Sequence, residues 1–135
     1  LIYGAEDTHN GYGPNLFLRL GLTGKKITLF GEGEEQRDHV LVDDVVNILQ
    51  LVILHQSEGV LNVATGTVVS FKKVAEMVSA YFNPSIEITT QQRVGPMPHN
   101  GYRPFDPTAT HAAFPEFRYT SLTDGVDKTF KILTS

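Results

Sequence analysis

The pattern of apolar residues along this chain predicts an α/β fold with short strands and four or five helices. Ile27 and Leu29 alternate with Thr28, which is typical of a strand, whereas Val74 and Val78 recur at helical spacing. Such patterns follow one another along the sequence. The 135 residues are 41% hydrophobic and 19% charged, a composition sufficient for a globular core. No internal repeat or linker divides the chain, so residues 1–135 are predicted to form a single domain.

The first third of the chain predicts, in order, a strand, a helix and two further strands. Leu1–Tyr3 is typical of the end of a buried strand. Residues 14–23 are predicted to be a helix because Pro14, which has no N–H, suits the first helical turn. Residues 26–30 and 38–42 favour strands joined by a glycine-containing acidic turn, so we expect a hairpin.

In the middle third, two helices flank a predicted interior strand. Asp43 and Asp44 can cap a helix that ends near His55, and their charges suit its positive end. Val60–Ala64 has apolar residues on both faces, which is typical of an interior strand. Ser70 is a suitable cap for the next helix.

The C-terminal third combines one strand, an aperiodic segment and two helices. Residues 86–88 alternate like a strand, whereas residues 91–107 show no period. A weak helix is predicted at 107–113. A stronger helix begins at Ser121, which forms a capping-box-like pair with Asp124.

Composition and the terminus exclude several classes of protein. The absence of cysteine excludes disulfides and cysteine nucleophiles, and the net charge of −4 argues against a general nucleic-acid or anionic-membrane surface. The most apolar run, Val45–Leu54, has half the length of a membrane span. No charged segment precedes an apolar one at the start, so we expect a cytoplasmic protein. The apolar start without Met predicts that the chain is part of a longer protein.

The common catalytic and cofactor motifs are absent. None of the five tyrosines has a lysine four places on, so no Tyr-x-x-x-Lys acid/base pair exists. Neither Gly-x-Gly pair has the third glycine of a dinucleotide fingerprint, and no P-loop or Gly-x-Ser-x-Gly elbow occurs. The histidines lack metal-ligand spacing. The sequence therefore predicts a binding part with no catalytic residue, no metal site and no assignable cofactor residue.

Three stretches in order identify a family resemblance. Tyr3-Gly4 precedes Gly13-Pro14-Asn15-Leu16; Leu29-Phe30-Gly31 precedes Arg37-Asp38-His39 and Val42-Asp43-Asp44; and Asn62-Val63-Ala64-Thr65-Gly66 follows. This order resembles the C-terminal half of extended short-chain dehydrogenase/reductases, specifically the NAD-dependent nucleotide-sugar epimerases and dehydratases, a family that includes UDP-glucose 4-epimerase. The resemblance covers nearly all of residues 1–130. It implies the C-terminal, substrate-binding part of that Rossmann-like fold.

The resemblance also implies that substrate binding and catalysis are carried out by different parts of the protein. In this family a separate N-terminal part binds NAD and supplies the Tyr and Lys that transfer protons, and no position of this chain matches those residues. We therefore expect NAD to be bound mainly outside these residues, a nucleotide sugar to be the ligand, and the isolated chain to be inert.

Two arginines match family positions that bind the nucleotide diphosphate, Arg37 and Arg93. A guanidinium presents several donors to phosphate oxygens, which suits that role. The alternatives are that Arg37 pairs with a glutamate of the acidic turn and that Arg93 is a solvated loop residue.

Five further positions match the family's substrate contacts. They are Asn15, Leu16, Leu29, Phe30 and Tyr102. Asn15 could equally be an early helix residue, and aromatic or aliphatic residues at a strand end are commonly core. His39 occupies a position where the family usually has an aromatic residue, and no role is assigned to it.

Two other functions remain open at this stage. Some extended relatives reduce carbonyl compounds that carry no diphosphate, and a non-enzymatic nucleotide-binding or scaffold protein could keep the fold. Strand edges at Leu1–Tyr3 and Val60–Ala64 would also be unpaired, which predicts self-association or partial disorder at the start.

Overall fold

The computed structural model describes all residues 1–135 and contains five α-helices and seven short strands. In chain order these elements are β1 (Ile2–Tyr3), α1 (Pro14–Leu22), β2 (Ile27–Phe30), β3 (Gln36–Asp38), β4 (Val40–Leu41), α2 (Val42–Leu54), β5 (Val68–Ser70), α3 (Phe71–Ser79), β6 (Ile88–Gln91), β7 (Tyr102–Arg103), α4 (Thr108–Ala113) and α5 (Leu122–Thr134). A 3₁₀ turn spans Pro98–Gly101. The predicted α/β class and helix number are confirmed.

The strands form three small sheets. β1 pairs with β4 in parallel, and β2 pairs with β6 in parallel from Ile27 opposite Ile88 to Phe30 opposite Gln91. The third sheet has the order β5-β3-β7, in which β3 is antiparallel to β5 and parallel to β7. The predicted hairpin is wrong, because β2 and β3 lie in different sheets. Gly31 and Gly33, both at positive φ, turn the chain away from β2 instead of folding it back.

The main core lies between α1, α3 and the β2–β6 pair. Phe17, Leu18, Ile27, Val74 and Val78 are all fully buried there. α1 lies close to the segment that follows α3 at Gly21, where a Cβ would lie 2.4 Å from the Phe82 ring. Helical and strand periodicities that were visible in the sequence therefore converge on one core.

Two predicted helix caps are confirmed and one is wrong. Ser70 Oγ accepts a hydrogen bond from the Lys73 amide at 3.2 Å, and Ser121 Oγ accepts from the Asp124 amide at 3.1 Å. α2, however, begins at Val42 without a side-chain cap. Asp44 is instead turned inward, so its carboxylate serves a tertiary contact.

The segment Val60–Ala64 is irregular, and the predicted interior strand is wrong. No strand pairs with it, and Val60 is 89% exposed. Its polar backbone groups are satisfied by side chains: the Ala64 amide donates to the Tyr119 hydroxyl, and Thr110 Oγ1 donates to the Asn62 carbonyl. The apolar residues on both faces indicated an interior strand, but no neighbouring strand forms a backbone ladder with this segment.

The C-terminal region agrees with its predicted helices, α4 and α5. The aperiodic segment contains the 3₁₀ turn and β7, which joins β3. None of the five helices has the length and apolar character needed to span a bilayer.

Candidate functional site

A cavity of about 540 Å³ opens where the carboxyl ends of β2 and β6 meet the start of α3. The outer ends of parallel strands are a common place for ligands in α/β proteins. Its walls combine aromatic, amide, proline and charged side chains: Tyr12, Phe30, Glu35, Phe71, Gln91, Gln92, Arg93, Val94, Pro96 and Pro98.

Three aromatic residues form one wall of the cavity. The Tyr12 ring lies 5.2 Å from the Phe30 ring and 4.5 Å from the Phe71 ring, measured between centroids. The Tyr12 hydroxyl accepts a hydrogen bond from the Phe30 amide at 3.2 Å. Burial raises the pKa of Tyr12, so the hydroxyl keeps its proton at neutral pH. This wall suits a flat, aromatic ligand group.

Two arginines share one carboxylate, that of Glu35, which lines the cavity together with Arg93. One Glu35 oxygen contacts Arg37 Nη2, and the other lies 3.0 Å from Arg93 Nη2. Glu35 is only 7% exposed. Arg93 Nη2 also donates to the Phe30 carbonyl at 3.3 Å, whereas its buried Nε has no partner.

Arg37 does not line this cavity itself; it lies behind Glu35 and lines a separate cavity of about 340 Å³. Its Nη1 donates to the Gln36 carbonyl at 2.7 Å, and its Nη2 donates to the Pro98 carbonyl at 3.4 Å as well as to Glu35. The alternative that Arg37 pairs with a glutamate of the acidic turn is therefore observed. Because Glu35 also contacts Arg93, the two arginines that were predicted to bind phosphate form one cluster around this carboxylate.

Asn15 and Leu16 lie apart from that cluster. Asn15 lines a second cavity of about 260 Å³, which shares Tyr12 with the first. Its Oδ1 accepts from the Gly4 amide at 3.0 Å, and its Nδ2 donates to Asp7 Oδ2 at 2.7 Å. Leu16 packs half-buried against the core. The Asn15 amide thus holds the loop after β1 against α1.

Of the remaining predicted site residues, Phe30 lines the cavity, and Leu29 and Tyr102 do not. Phe30 is 40% exposed, whereas Leu29 is 1% exposed and belongs to the core. Tyr102 is 56% exposed and pairs with Gln36 in the third sheet. The core alternative therefore describes Leu29 and does not describe Phe30.

Of the ten residues that line the cavity only Phe30 and Arg93 were predicted, and the missed residues include Tyr12, Glu35 and Phe71. The acidic turn suggested a glutamate as the partner of Arg37, but it gave no indication that Glu35 also contacts Arg93. Nothing in the local sequence distinguishes Tyr12 from other loop residues or Phe71 from other apolar helix residues. Their roles depend on β6, which is distant in sequence.

His39 lies behind the aromatic wall. Its ring is 5.8 Å from the Phe71 ring, and neither ring nitrogen has a hydrogen-bond partner. Burial lowers the pKa of His39 to about 4, so it is neutral at pH 7. A neutral buried imidazole thus packs edge-on against the Phe71 ring.

The described residues do not fit a dinucleotide pyrophosphate. Gly11 and Gly13 lie between β1 and α1, but Leu16 stands where the third glycine of a fingerprint would be. Pro14 also removes an N–H from the start of the helix. No group of three or more His, Asp or Glu residues is arranged to hold a metal ion.

Comparison with known proteins identifies one family model and several solved structures that resemble this chain. A sequence model described as the NAD dependent epimerase/dehydratase family matches residues 2–64. Three solved structures cover 98% of this chain: an epimerase from Methanothermobacter thermautotrophicus (TM-score 0.86, 15% identity, 40% of that chain), UDP-glucose 4-epimerase with UDP-glucose from Thermotoga maritima (0.82, 22%, 43%), and UDP-glucuronic acid 4-epimerase from Bacillus cereus with UDP-glucuronic acid and NAD (0.80, 17%, 42%).

The chain thus spans about two fifths of the length of these solved structures. The sequence match over residues 2–64 and the likeness of fold over the whole chain agree with each other. They confirm the predicted resemblance: residues 2–64 carry the sequence pattern of the NAD-dependent epimerase/dehydratase family, and the whole chain has the fold of the C-terminal part of its Rossmann-like, extended short-chain dehydrogenase members.

Proposed function

We propose that this chain is the nucleotide-sugar-binding portion of an NAD-dependent sugar epimerase or dehydratase. The observation that carries the proposal is the cavity at the ends of β2 and β6, which combines an aromatic wall with Arg93 and the adjoining Arg37. Such a combination suits a base joined to a diphosphate. Two of the solved relatives are complexes with UDP-glucose and UDP-glucuronic acid.

In this proposal each wall binds one part of the ligand. The base packs against Phe30 and Tyr12, and the diphosphate accepts hydrogen bonds from Arg93 and Arg37. The second cavity shares Tyr12 with the first, so we place the sugar end towards Asn15. Leu29 and Tyr102 lie outside this cavity, so the proposal gives neither of them a contact with the ligand. Binding energy from the nucleotide then positions the sugar for reaction at a remote carbon.

The chemistry itself needs groups that these residues do not supply. NAD would act as the hydride store when bound to the whole enzyme. The residues of this chain bind and orient the sugar nucleotide, and none is assigned a catalytic role. We expect the purified 135-residue chain to show no epimerase or dehydratase turnover, and measurable turnover by it would contradict this assignment.

The direct test is the affinity of the purified protein for UDP-glucose, GDP-mannose and dTDP-glucose, measured by calorimetry. We expect Arg93→Ala and Arg37→Ala to weaken binding of the preferred ligand at least about tenfold, because each removes a charge-assisted contact. Arg118→Ala is the matched control, since Arg118 is exposed and donates only to carbonyls of its own turn. Unchanged affinity in both test variants would refute the diphosphate site.

One observation favours a second candidate. Glu35 contacts both arginines and neutralises part of their charge, which would suit an extended reductase acting on a carbonyl compound that has no diphosphate. That protein would bind no sugar nucleotide with arginine-dependent affinity, so the same titrations separate the two functions.

Self-association is a separate part of the proposal. β1 has only β4 as a neighbour, and Ile2, Leu49 and Ile53 are 54%, 52% and 74% exposed. We expect these apolar surfaces to associate the isolated chain into dimers or larger species at micromolar concentration. Light scattering measures the mass directly, and a stable monomer would contradict this expectation.

A further inference from the structure

Glu35 lies at the cavity as well as between the two arginines. It lines the cavity, and its side chain is only 9% exposed. Among the side chains that line this cavity, Arg93 and Glu35 are the two that carry a formal charge. A ligand beside Arg93 is therefore also beside a buried negative charge.

This negative charge is unexpected in a site for a diphosphate. Together with Arg37 it makes a cluster of two positive charges and one negative charge. A carboxylate so near to phosphate oxygens opposes their binding. Because Glu35 is buried, solvent and salt screen its field less than that of a surface carboxylate.

The repulsion depends on the charge of the ligand. A nucleotide sugar has a diesterified diphosphate with a charge of about −2, whereas a free nucleoside diphosphate has about −3 once its terminal phosphate has lost its second proton, above about pH 6. The additional charge of the free diphosphate therefore adds to its repulsion by Glu35.

We propose that Glu35 makes this site selective for sugar-esterified diphosphates over free nucleoside diphosphates. The proposal rests on the proposed function, because it requires a diphosphate beside Arg37 and Arg93. It assigns Glu35 an electrostatic role in specificity, in addition to holding the two guanidinium groups.

Holding the arginines and discriminating charge can be separated experimentally. Loss of arginine positioning affects both ligands alike, since both present the same diphosphate to the same donors. Loss of the negative charge helps the more anionic ligand more. The ratio of the two affinities therefore reports the charge effect alone.

The experiment measures the dissociation constants of UDP-glucose and UDP at pH 8 by calorimetry, with GDP-mannose and GDP as a second pair. The wild-type protein should prefer the sugar ester. Glu35→Gln should reduce that preference at least about threefold, whatever happens to the absolute affinities. Glu32→Gln is the control: it removes the same charge from the same turn, on an exposed residue that contacts neither arginine, and it should leave the ratio unchanged.

A ligand with altered charge tests the proposal without a mutation. The β-methyl ester of UDP lacks a sugar but has the charge of UDP-glucose, so wild-type protein should bind it more tightly than UDP. Equal binding of the methyl ester and UDP would overturn the proposal, as would an unchanged ratio in Glu35→Gln while binding still depends on Arg93. If no ligand bound in an arginine-dependent way, the proposed function itself would fail, and this inference with it.

Discussion

The charged cluster at the cavity, formed by Glu35, Arg93 and the adjoining Arg37, contrasts with the buried polar contacts made by Asn15 and Asp44. In the charged cluster one carboxylate is shared between two cations, and Arg93 Nε has no partner. Asn15 and Asp44 instead direct their polar groups to partners inside the protein. The difference indicates which polar residues are free to bind a ligand and which stabilise the fold. Each prediction below tests this contrast.

The largest expected effect is on the contact made by Asp44. Its carboxylate is 4% exposed and accepts from the Thr120 amide at 2.8 Å and from Thr120 Oγ1 at 2.9 Å. Asp44→Ala leaves both donors unpaired, so we expect a loss of about 3 kcal/mol in the free energy of unfolding. Urea denaturation measures it.

The neighbouring Asp43 provides the matched control. It pairs with Lys128 at the surface, and its side chain is 47% exposed. Asp43→Ala should cost less than about 1 kcal/mol. Equal losses in the two variants would show that helix-end charge, and not burial, accounts for the stability contributed by Asp44.

The second prediction concerns His39, a buried polar group without partners. Its pKa is lowered from 6.5 to about 4, so the unfolded chain binds a proton more readily than the folded protein does. Stability should therefore fall as the pH drops from about 6.5 to about 4, by roughly 3 kcal/mol from this group.

His39→Phe should remove that contribution, because the variant has no imidazole to protonate. The free energy of unfolding is measured by urea denaturation at pH 7 and at pH 4 for each protein, and the change between the two pH values is compared. Because the other groups titrate alike in both proteins, any difference between the two changes comes from His39. The same loss in wild type and variant would show that His39 is not buried in its neutral form.

The third prediction concerns Asn15. Asn15→Ala removes partners from the Gly4 amide and from Asp7, so we expect a loss of about 2 kcal/mol in stability. Asn47→Ala, on the exposed face of α2, is the control and should change stability by less than about 0.5 kcal/mol. If Asn15→Ala were fully stable but bound sugar nucleotides more weakly, Asn15 would belong with the charged cluster.

The smallest expected change in stability is at Arg93. Glu35 keeps its contact with Arg37 when Arg93 is removed, so Arg93→Ala should lower the free energy of unfolding by only about 1 kcal/mol, less than Asn15→Ala does. Its ligand affinity should nevertheless fall at least about tenfold. A large loss of stability would show that Arg93 stabilises the fold, as Asn15 and Asp44 do, and would contradict the distinction between the two groups of polar residues.

Much of the local structure was predictable because it depends on neighbours in sequence. The caps at Ser70 and Ser121, the start of α1 at Pro14 and the apolar face of α3 were all predicted in this way. The errors concern pairing over long distances. The hairpin failed because β2 pairs with β6, and Val60–Ala64 is irregular because no strand pairs with it.

The candidate site shows the same division. The sequence by itself determined the α/β class, most helix starts and the two arginines worth testing, since these follow from short-range patterns and motif order. Only the tertiary structure decided that Arg37 and Arg93 share Glu35, that Tyr12 and Phe71 complete the aromatic wall, and that Asn15 is occupied internally. The reason is physical: a shared carboxylate or a cavity wall depends on distances between segments far apart in the chain, which hydrophobic periodicity does not encode.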